Sequence, residues 1–110
     1  MAEREPQRMN AMQRFTCYRL AVPAATHDEF QRNEPSIPQF EGVIFTDGSV
    51  AVRWRTACRS TSIWTSLEDL LRIHGHPEYD TCIVWEDGEA PAFAREFFAG
   101  DPPHVVMPTP

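Results

Sequence analysis

Lysine is absent from this chain of 110 residues, and all ten of its basic side chains are arginines. The absence excludes a P-loop lysine and a Schiff-base lysine, because both chemistries need the ε-amine. The sequence also has no apolar run of about 18 residues, so it predicts no membrane span. Its first residues are polar and charged, unlike a signal peptide, and we therefore expect a cytoplasmic protein.

Cysteine is scarce and irregularly spaced. Cys17, Cys58 and Cys82 are odd in number, far apart, and form no C-x-x-C motif. Each lies within or beside an apolar, strand-like run. The pattern predicts three buried free thiols in a reducing compartment.

The chain is acidic, with a formal net charge of −6. Nucleic-acid binding needs cations that neutralise phosphates, so this balance disfavours a nucleic-acid partner. The sequence has no catalytic signature and no glycine-rich cofactor loop. We therefore expect a protein that is not an enzyme and that needs no cofactor.

The strongest local signal is a β-hairpin over residues 40–55. The dipeptide Asp47-Gly48 separates two strand-like runs and predicts a type I′ turn, in which both central residues need a positive φ. The outgoing strand alternates in polarity, with Val50, Val52 and Trp54 on one side and Ala51, Arg53 and Arg55 on the other.

A helix is predicted over residues 66–74. Ser66 is suited to cap its N-terminus, and Gly75 is expected to end it in the left-handed conformation. One stripe of the helix is formed at i, i+3, i+4 and i+7 by Leu67, Leu70, Leu71 and His74.

The remaining patterns predict strands over residues 15–22, 61–64 and 81–85 and helices over 26–30 and 91–99. Together these elements indicate an α+β fold. We expect a small, mostly antiparallel sheet of three to five strands, with one or two helices packed on one face. The predicted organisation is a flexible N-terminal arm at 1–14, a single domain at 15–99 and a Pro-rich extended tail at 100–110.

Several short motifs occur together between Gly42 and Trp85. They are the Asp47-Gly48 hairpin, the helix start SLEDLL from Ser66, and the sequence IHGH that ends at His76. In this combination the segment resembles small accessory proteins of actinobacteria and their phages. The resemblance implies a phage or actinobacterial origin and a shared fold unit, and it brings no activity and no catalytic residue.

His74 and His76 form a candidate metal site. Two imidazoles this close could begin a ligand set, with Asp80 or Cys82 as further ligands. A structural role competes, because His74 continues the apolar stripe at a helix C-terminus, where the macrodipole favours its protonated form. A metal-binding module or a metal-dependent enzyme therefore stands as the first alternative function.

Arg53, Arg55 and Arg59 lie on and just after one strand, close in sequence to Trp54 and Trp64. Such a basic–aromatic patch could hold an acidic protein surface, a phosphate or a nucleic acid. The competing interpretation is a solvated face whose arginine stems cover apolar surface. A nucleic-acid-binding module that uses the three arginines is the second alternative function.

Phe93 and Phe97 share one face of the last helix, where they either cover the core of the domain or dock a partner. We expect them to cover the core. The sequence as a whole predicts a non-enzymatic accessory protein that binds another macromolecule, a protein in the first instance, in the host cytoplasm if a phage encodes it. The candidate binding residues are Arg53, Trp54, Arg55, Arg59, Trp64, Phe93 and Phe97.

Overall fold

The computed structural model describes residues 11–21, 32–97 and 105–106. Six strands form one sheet: β1 Gln13–Arg19, β2 Phe40–Ile44, β3 Val50–Trp54, β4 Thr61–Trp64, β5 Thr81–Trp85 and β6 Val105–Val106. Helix α1 Leu67–His74 is followed by a short 3₁₀ turn at Pro77–Tyr79, and helix α2 Ala92–Phe97 follows β5. Among the described residues, no helix has the length and apolar character needed to cross a membrane.

The strand order is β4-β3-β2-β1-β5-β6. All pairs among β1 to β5 are antiparallel, whereas β6 pairs with β5 in parallel. Buried residues of both helices join the inward side chains of the sheet in one core. The predicted α+β fold is therefore confirmed, with five antiparallel strands and both helices on one face of the sheet. The predicted helix at 26–30 and most of the predicted arm and tail lie outside the described residues.

Alternation along the strands divides the sheet into two faces. Phe15, Cys17, Phe40 and Ile83 point to the helices and are almost fully buried. The opposite face, here called the open face, carries Arg14, Thr16, Glu41, Arg53, Thr61 and Ile63. Because β5 starts with three buried residues in a row, its predicted place inside the sheet is also confirmed.

The hairpin occurs where it was predicted, but its turn differs. Among the described residues, positive φ in a non-glycine residue occurs only at His76 and Asp80, so Asp47 does not have the conformation of a type I′ turn. Within the turn, Gly48 alone takes a positive φ, of 90°, and its amide donates to the carbonyl of Phe45 at 2.9 Å. The Asp47 carboxylate instead accepts a hydrogen bond from the Ser49 amide at 2.9 Å. This bond stabilises the turn without a second left-handed residue.

Helix α1 begins as the sequence predicts, because the Ser66 hydroxyl accepts a hydrogen bond from the Asp69 amide at 3.1 Å. Its end is different. Gly75 is right-handed at φ −70°, and the left-handed residue is His76 at φ 39°. Glycine is needed at position 75 for space instead, because a Cβ there would meet the backbone carbonyl of Leu71 and would lie 2.5 Å from the Cε1 of Phe97.

The expectation that all three thiols are buried needs correction. Cys17 and Cys82 are buried, but Cys58 is exposed, because it lies in the loop after β3 and not in a strand. Burial raises the pKa of Cys17 to about 12, so that thiol is unreactive. Strand β1 begins at Gln13, inside the range predicted as an arm, and Val105–Val106 of the predicted tail pair with β5.

Candidate functional site

A cavity of about 400 Å³ opens where β1, β3 and β4 meet the segment that follows α1. We call it the arginine–indole pocket. It is lined by Arg19, Arg32, Gln39, Trp54, Thr56, Cys58, Ser60, Ser62, Trp64, His74, His76 and Tyr79. Among these described residues are two arginines and two histidines but no aspartate or glutamate. In a chain with a net charge of −6, such a lining favours an anionic ligand.

Arg19 brings a buried positive charge to this pocket. It is the inward residue that follows Phe15 and Cys17 on β1, and it is only 4% exposed. Its Nη2 donates to the carbonyl of His74 at 2.9 Å, and its Nη1 donates to Gly75 at 3.2 Å and to Thr81 at 2.5 Å. Burial lowers the pKa of Arg19, yet a guanidinium remains cationic in proteins. Arg19 therefore holds the end of α1 and contributes charge to the pocket.

Arg32 carries two buried hydrogen-bond donors that have no partner among the described residues. It is 6% exposed, and its Nη2 donates to the carbonyl of Ala21 at 3.2 Å. Its Nε and Nη1 are buried and have no partner within the described part of the chain. Burying such donors without a partner costs about 1–3 kcal/mol per group. Arg32 is thus the residue most in need of an acceptor that the described residues do not supply.

Tyr79 links the two arginines. The guanidinium carbon of Arg32 lies 4.5 Å from the centre of its ring, and that of Arg19 lies 5.7 Å away. His76 stacks on the same ring at 4.6 Å between centroids, and its Nδ1 donates a hydrogen bond to the Glu78 carboxylate at 2.9 Å. The hydrogen bond to His76 lowers the pKa of Glu78, so that carboxylate is ionised at neutral pH. The tyrosine ring therefore aligns Arg32 and His76 beside the cavity.

Two indoles form another part of the pocket wall. Trp54 on β3 and Trp64 on β4 both donate from Nε1 to the hydroxyl of Ser62, at 3.1 Å and 3.0 Å. The ring of His74 meets both indoles edge-on, at centroid distances of 4.8 Å and 5.3 Å. Rings packed at these distances and fixed by hydrogen bonds make a rigid aromatic surface.

The favoured protonation state of His74 is the reverse of the one expected from the sequence. The macrodipole of α1 was expected to favour its protonated form. Burial between the indoles, together with the charges of Arg19 and His76, instead lowers the pKa of His74. The imidazole is therefore neutral at neutral pH and can accept or donate a hydrogen bond at the pocket wall.

Residues 40–87 match the model of a family described as Acb5 phage protein. The matched segment runs from β2 to just past β5 and is less than half of the chain. It contains both indoles and His74, whereas Arg19 and Arg32 precede it. No curated protein and no solved structure matches the chain. The match supports a relationship to a family of phage accessory proteins; the actinobacterial part of the resemblance stays a prediction.

The structure divides the predicted basic–aromatic patch between the two faces of the sheet. Trp54 and Trp64 line the pocket. Arg53 lies on the open face, where its Nη1 donates to the hydroxyl of Thr61 at 3.0 Å. The Nη1 of Arg55 lies 3.7 Å from the Oε1 of Glu41. Arg59 is exposed in the loop between β3 and β4. The three arginines therefore do not surround the two indoles, and their role in binding stays a prediction.

The other predicted site residues are also separated. Phe93 and Phe97 are partly buried against the core, on α2. His74 and His76 both line the pocket, but among the described residues no three His, Cys, Asp or Glu side chains are grouped as a metal site would need. The metal-site alternative therefore has no support from this geometry.

Sequence reasoning missed Arg19, Arg32 and Tyr79 as site residues. A signal for Arg19 was present, because it occupies an inward position of the alternation that begins with Phe15. Arg32 gave no such signal, because it lies in an irregular segment before β2. Its burial depends on contacts with Ala21 and Tyr79, which are distant in sequence.

Proposed function

We propose that this chain is a phage accessory protein that binds a small phosphorylated ligand with an aromatic ring, of the nucleotide class, in the arginine–indole pocket. One observation carries the proposal: the buried guanidinium of Arg32 keeps two donors without a partner among the described residues, in a cavity lined by cations and indoles. A phosphate offers several acceptor oxygens to such a fork of donors. An aromatic base offers a flat ring to the indole wall.

The size and charge of the pocket agree with this ligand class. A volume of about 400 Å³ falls in the range of roughly 300–1,000 Å³ that is usual for small-molecule sites. Inorganic phosphate alone would leave the indole wall without a contact. A neutral aromatic molecule would leave Arg32 without an acceptor. A ligand that carries both groups satisfies both sides of the cavity.

Calorimetric titration with AMP, GMP, CMP and UMP tests the proposal. We expect at least one of them to bind, and Arg32→Met to weaken it by 10-fold or more, because charged hydrogen bonds contribute about 1.5–3 kcal/mol. Arg53→Met is the matched control, since it removes the same charge from the open face. Absence of binding by all four, or an equal loss in both variants, would overturn the proposal.

A second candidate function rests on the two imidazoles in the same pocket. His74 is held neutral, as a general base must be, and Glu78 orients the His76 ring through Nδ1. In such an arrangement His74 would take the proton of an attacking hydroxyl as its oxygen bonds to phosphorus. His76 would give a proton to the oxygen that leaves. This chemistry would cleave a phosphodiester without a change in oxidation state.

The dinucleotide ApA distinguishes cleavage from binding. If the imidazoles act as acid and base, chromatography of the mixture shows new products, and both His74→Gln and His76→Gln abolish them while AMP still binds. If ApA stays intact under conditions in which AMP binds, the protein is a binding protein only. A protein partner, the expectation from the sequence, stays a prediction alongside both.

A further inference from the structure

The hydroxyl of Ser62 lies where the two indoles of the pocket meet. Ser62 is on β4 and points to the same side of the sheet as Trp64, two residues later. Its oxygen accepts one hydrogen bond from Trp54 at 3.1 Å and a second from Trp64 at 3.0 Å. The two indoles come from neighbouring strands, so a single oxygen fixes both rings.

These two bonds determine what the hydroxyl can still do. A serine hydroxyl has two lone pairs and one proton, and an indole N–H can only donate. Both lone pairs of Ser62 are therefore occupied, and only its proton remains. Within the described part of the chain, Ser62 donates to no protein acceptor, although its side chain lines the cavity.

We infer that Ser62 is a specificity-determining residue, whose hydroxyl donates to an acceptor atom on the aromatic ring of the ligand. The inference rests on the proposed function, since it assigns one contact within the same pocket. A serine with a vacant lone pair could turn to suit a donor or an acceptor. Ser62 cannot, because accepting a third bond would displace one of the indoles.

The consequence is a preference at one position of the ring. A ring with a lone pair facing Ser62, such as a ring nitrogen or a carbonyl oxygen, gains a hydrogen bond. A ring with N–H or C–H at that position leaves the hydroxyl proton without a partner. Thr56 does not provide the same selection, because its hydroxyl already donates to the carbonyl of Cys58 at 3.2 Å.

Analogues of the tightest-binding nucleoside monophosphate test this contact. Each analogue replaces one ring acceptor by C–H, as 1-deaza, 3-deaza and 7-deaza AMP do for AMP. We expect one analogue to bind the unchanged protein about 3- to 10-fold more weakly than its parent, as the loss of one hydrogen bond predicts. In Ser62→Ala, we expect that difference to disappear.

Two controls separate this role from a structural one. Ser62→Thr keeps the hydroxyl and should retain the preference. Ribose 5-phosphate, which has no base, measures how much Ser62→Ala changes the rest of the site when both indoles lose their acceptor, and nucleotide affinities are compared relative to it. If Ser62→Ala weakens every probe by the same factor, or if no acceptor position is preferred, the inference is wrong while nucleotide binding stands. If ribose 5-phosphate binds as tightly as every nucleotide, the ring has no site, and both proposals fail.

Discussion

The guanidinium carbon of Arg32 lies 4.5 Å from the ring centre of Tyr79, and His76 stacks on that same ring. Among the described residues, this arginine, which is 6% exposed, is held by the ring contact and by one hydrogen bond to Ala21. The cation–π contact contributes about 1–2 kcal/mol, whereas two donors without partners cost about as much or more. Arg32 therefore adds little to the stability of the ligand-free protein.

The first prediction follows from that balance. In the absence of ligand, Arg32→Met should leave the free energy of unfolding unchanged or raise it by up to about 1 kcal/mol. With ligand at 100 times Kd, the parent should gain about 2.7 kcal/mol and the variant much less. Urea unfolding with and without nucleotide measures both. Strong destabilisation of the ligand-free variant would show that Arg32 has a structural role.

The second prediction concerns pH. Because the pKa of His74 is lowered in the folded protein and returns to about 6.5 in the unfolded chain, the unfolded state binds more protons below that pH. Stability should therefore fall as the pH drops below about 6.5, and this loss should level off below the folded pKa. His74→Phe, which keeps an aromatic ring between the indoles, should flatten the dependence.

Glu78→Gln serves as the control for the pH experiment. The pKa of Glu78 is also lowered, so its contribution is present above the unfolded pKa of about 4.3 and is lost only as the pH falls through the folded value. Urea melts between pH 7 and pH 5 should therefore separate the two residues. A parent and a His74→Phe variant with the same slope in this interval would contradict the assignment.

The third prediction concerns the hairpin turn. Gly48 has φ 90°, and a Cβ at this position would meet nothing within 4 Å. The cost of Gly48→Val is therefore confined to the backbone and should be about 1–3 kcal/mol. Thr46→Val, an exposed change in the same turn, should cost far less. Equal melting temperatures for the two variants would mean that the turn does not require a glycine.

The fourth prediction tests the start of α1. Ser66→Ala removes the acceptor of the Asp69 amide and should lower the free energy of unfolding by about 1 kcal/mol. Ser66→Asp keeps an acceptor at the same place and should restore most of the loss. Denaturant unfolding of the three proteins gives the comparison, and an alanine variant as stable as the parent would place the cap elsewhere.

The fifth prediction concerns the contact between Gly75 and Phe97. Since φ at Gly75 is −70°, alanine can adopt the backbone conformation there, but its Cβ would meet both the backbone carbonyl of Leu71 and the Phe97 ring. Gly75→Ala should destabilise the domain by about 1–3 kcal/mol, as overpacking does. A double-mutant cycle with Phe97→Val should show that the two changes cost less together than their sum. Additive costs would mean that the ring does not press on this glycine.

What the sequence could predict was local. The hairpin, the Ser66 cap and the stripe of α1 each depend on residues within one or two turns, and each was found in place. Two of the expectations that failed, at Asp47 and Gly75, assigned a conformation by residue type. Gly75 was expected to be left-handed, yet His76 and Asp80 take that conformation, and the glycine at position 75 is required for space beside Leu71 and Phe97 instead.

The site was less predictable because it combines distant segments. Trp54, Trp64 and the two histidines lie within one stretch that the sequence had already marked. The arginines that join them come from β1 and from the segment before β2. Arg53 and Arg55 were closer in sequence to the indoles, but the alternation of β3 turns Arg53 to the opposite side of the sheet.

The central position of β1 has a consequence for how the chain assembles. Phe15 pairs with Trp85, 70 residues later, whereas β2, β3 and β4 are joined by short connections. Closing a long loop costs more chain entropy than closing a short one, and contacts of this range slow folding. During synthesis β1 leaves the ribosome first, yet it cannot complete its pairing until β5 has emerged. The pairing of Arg19 with Thr81, and the hydrogen bond between their side chains, can therefore form only after β5 has been synthesised.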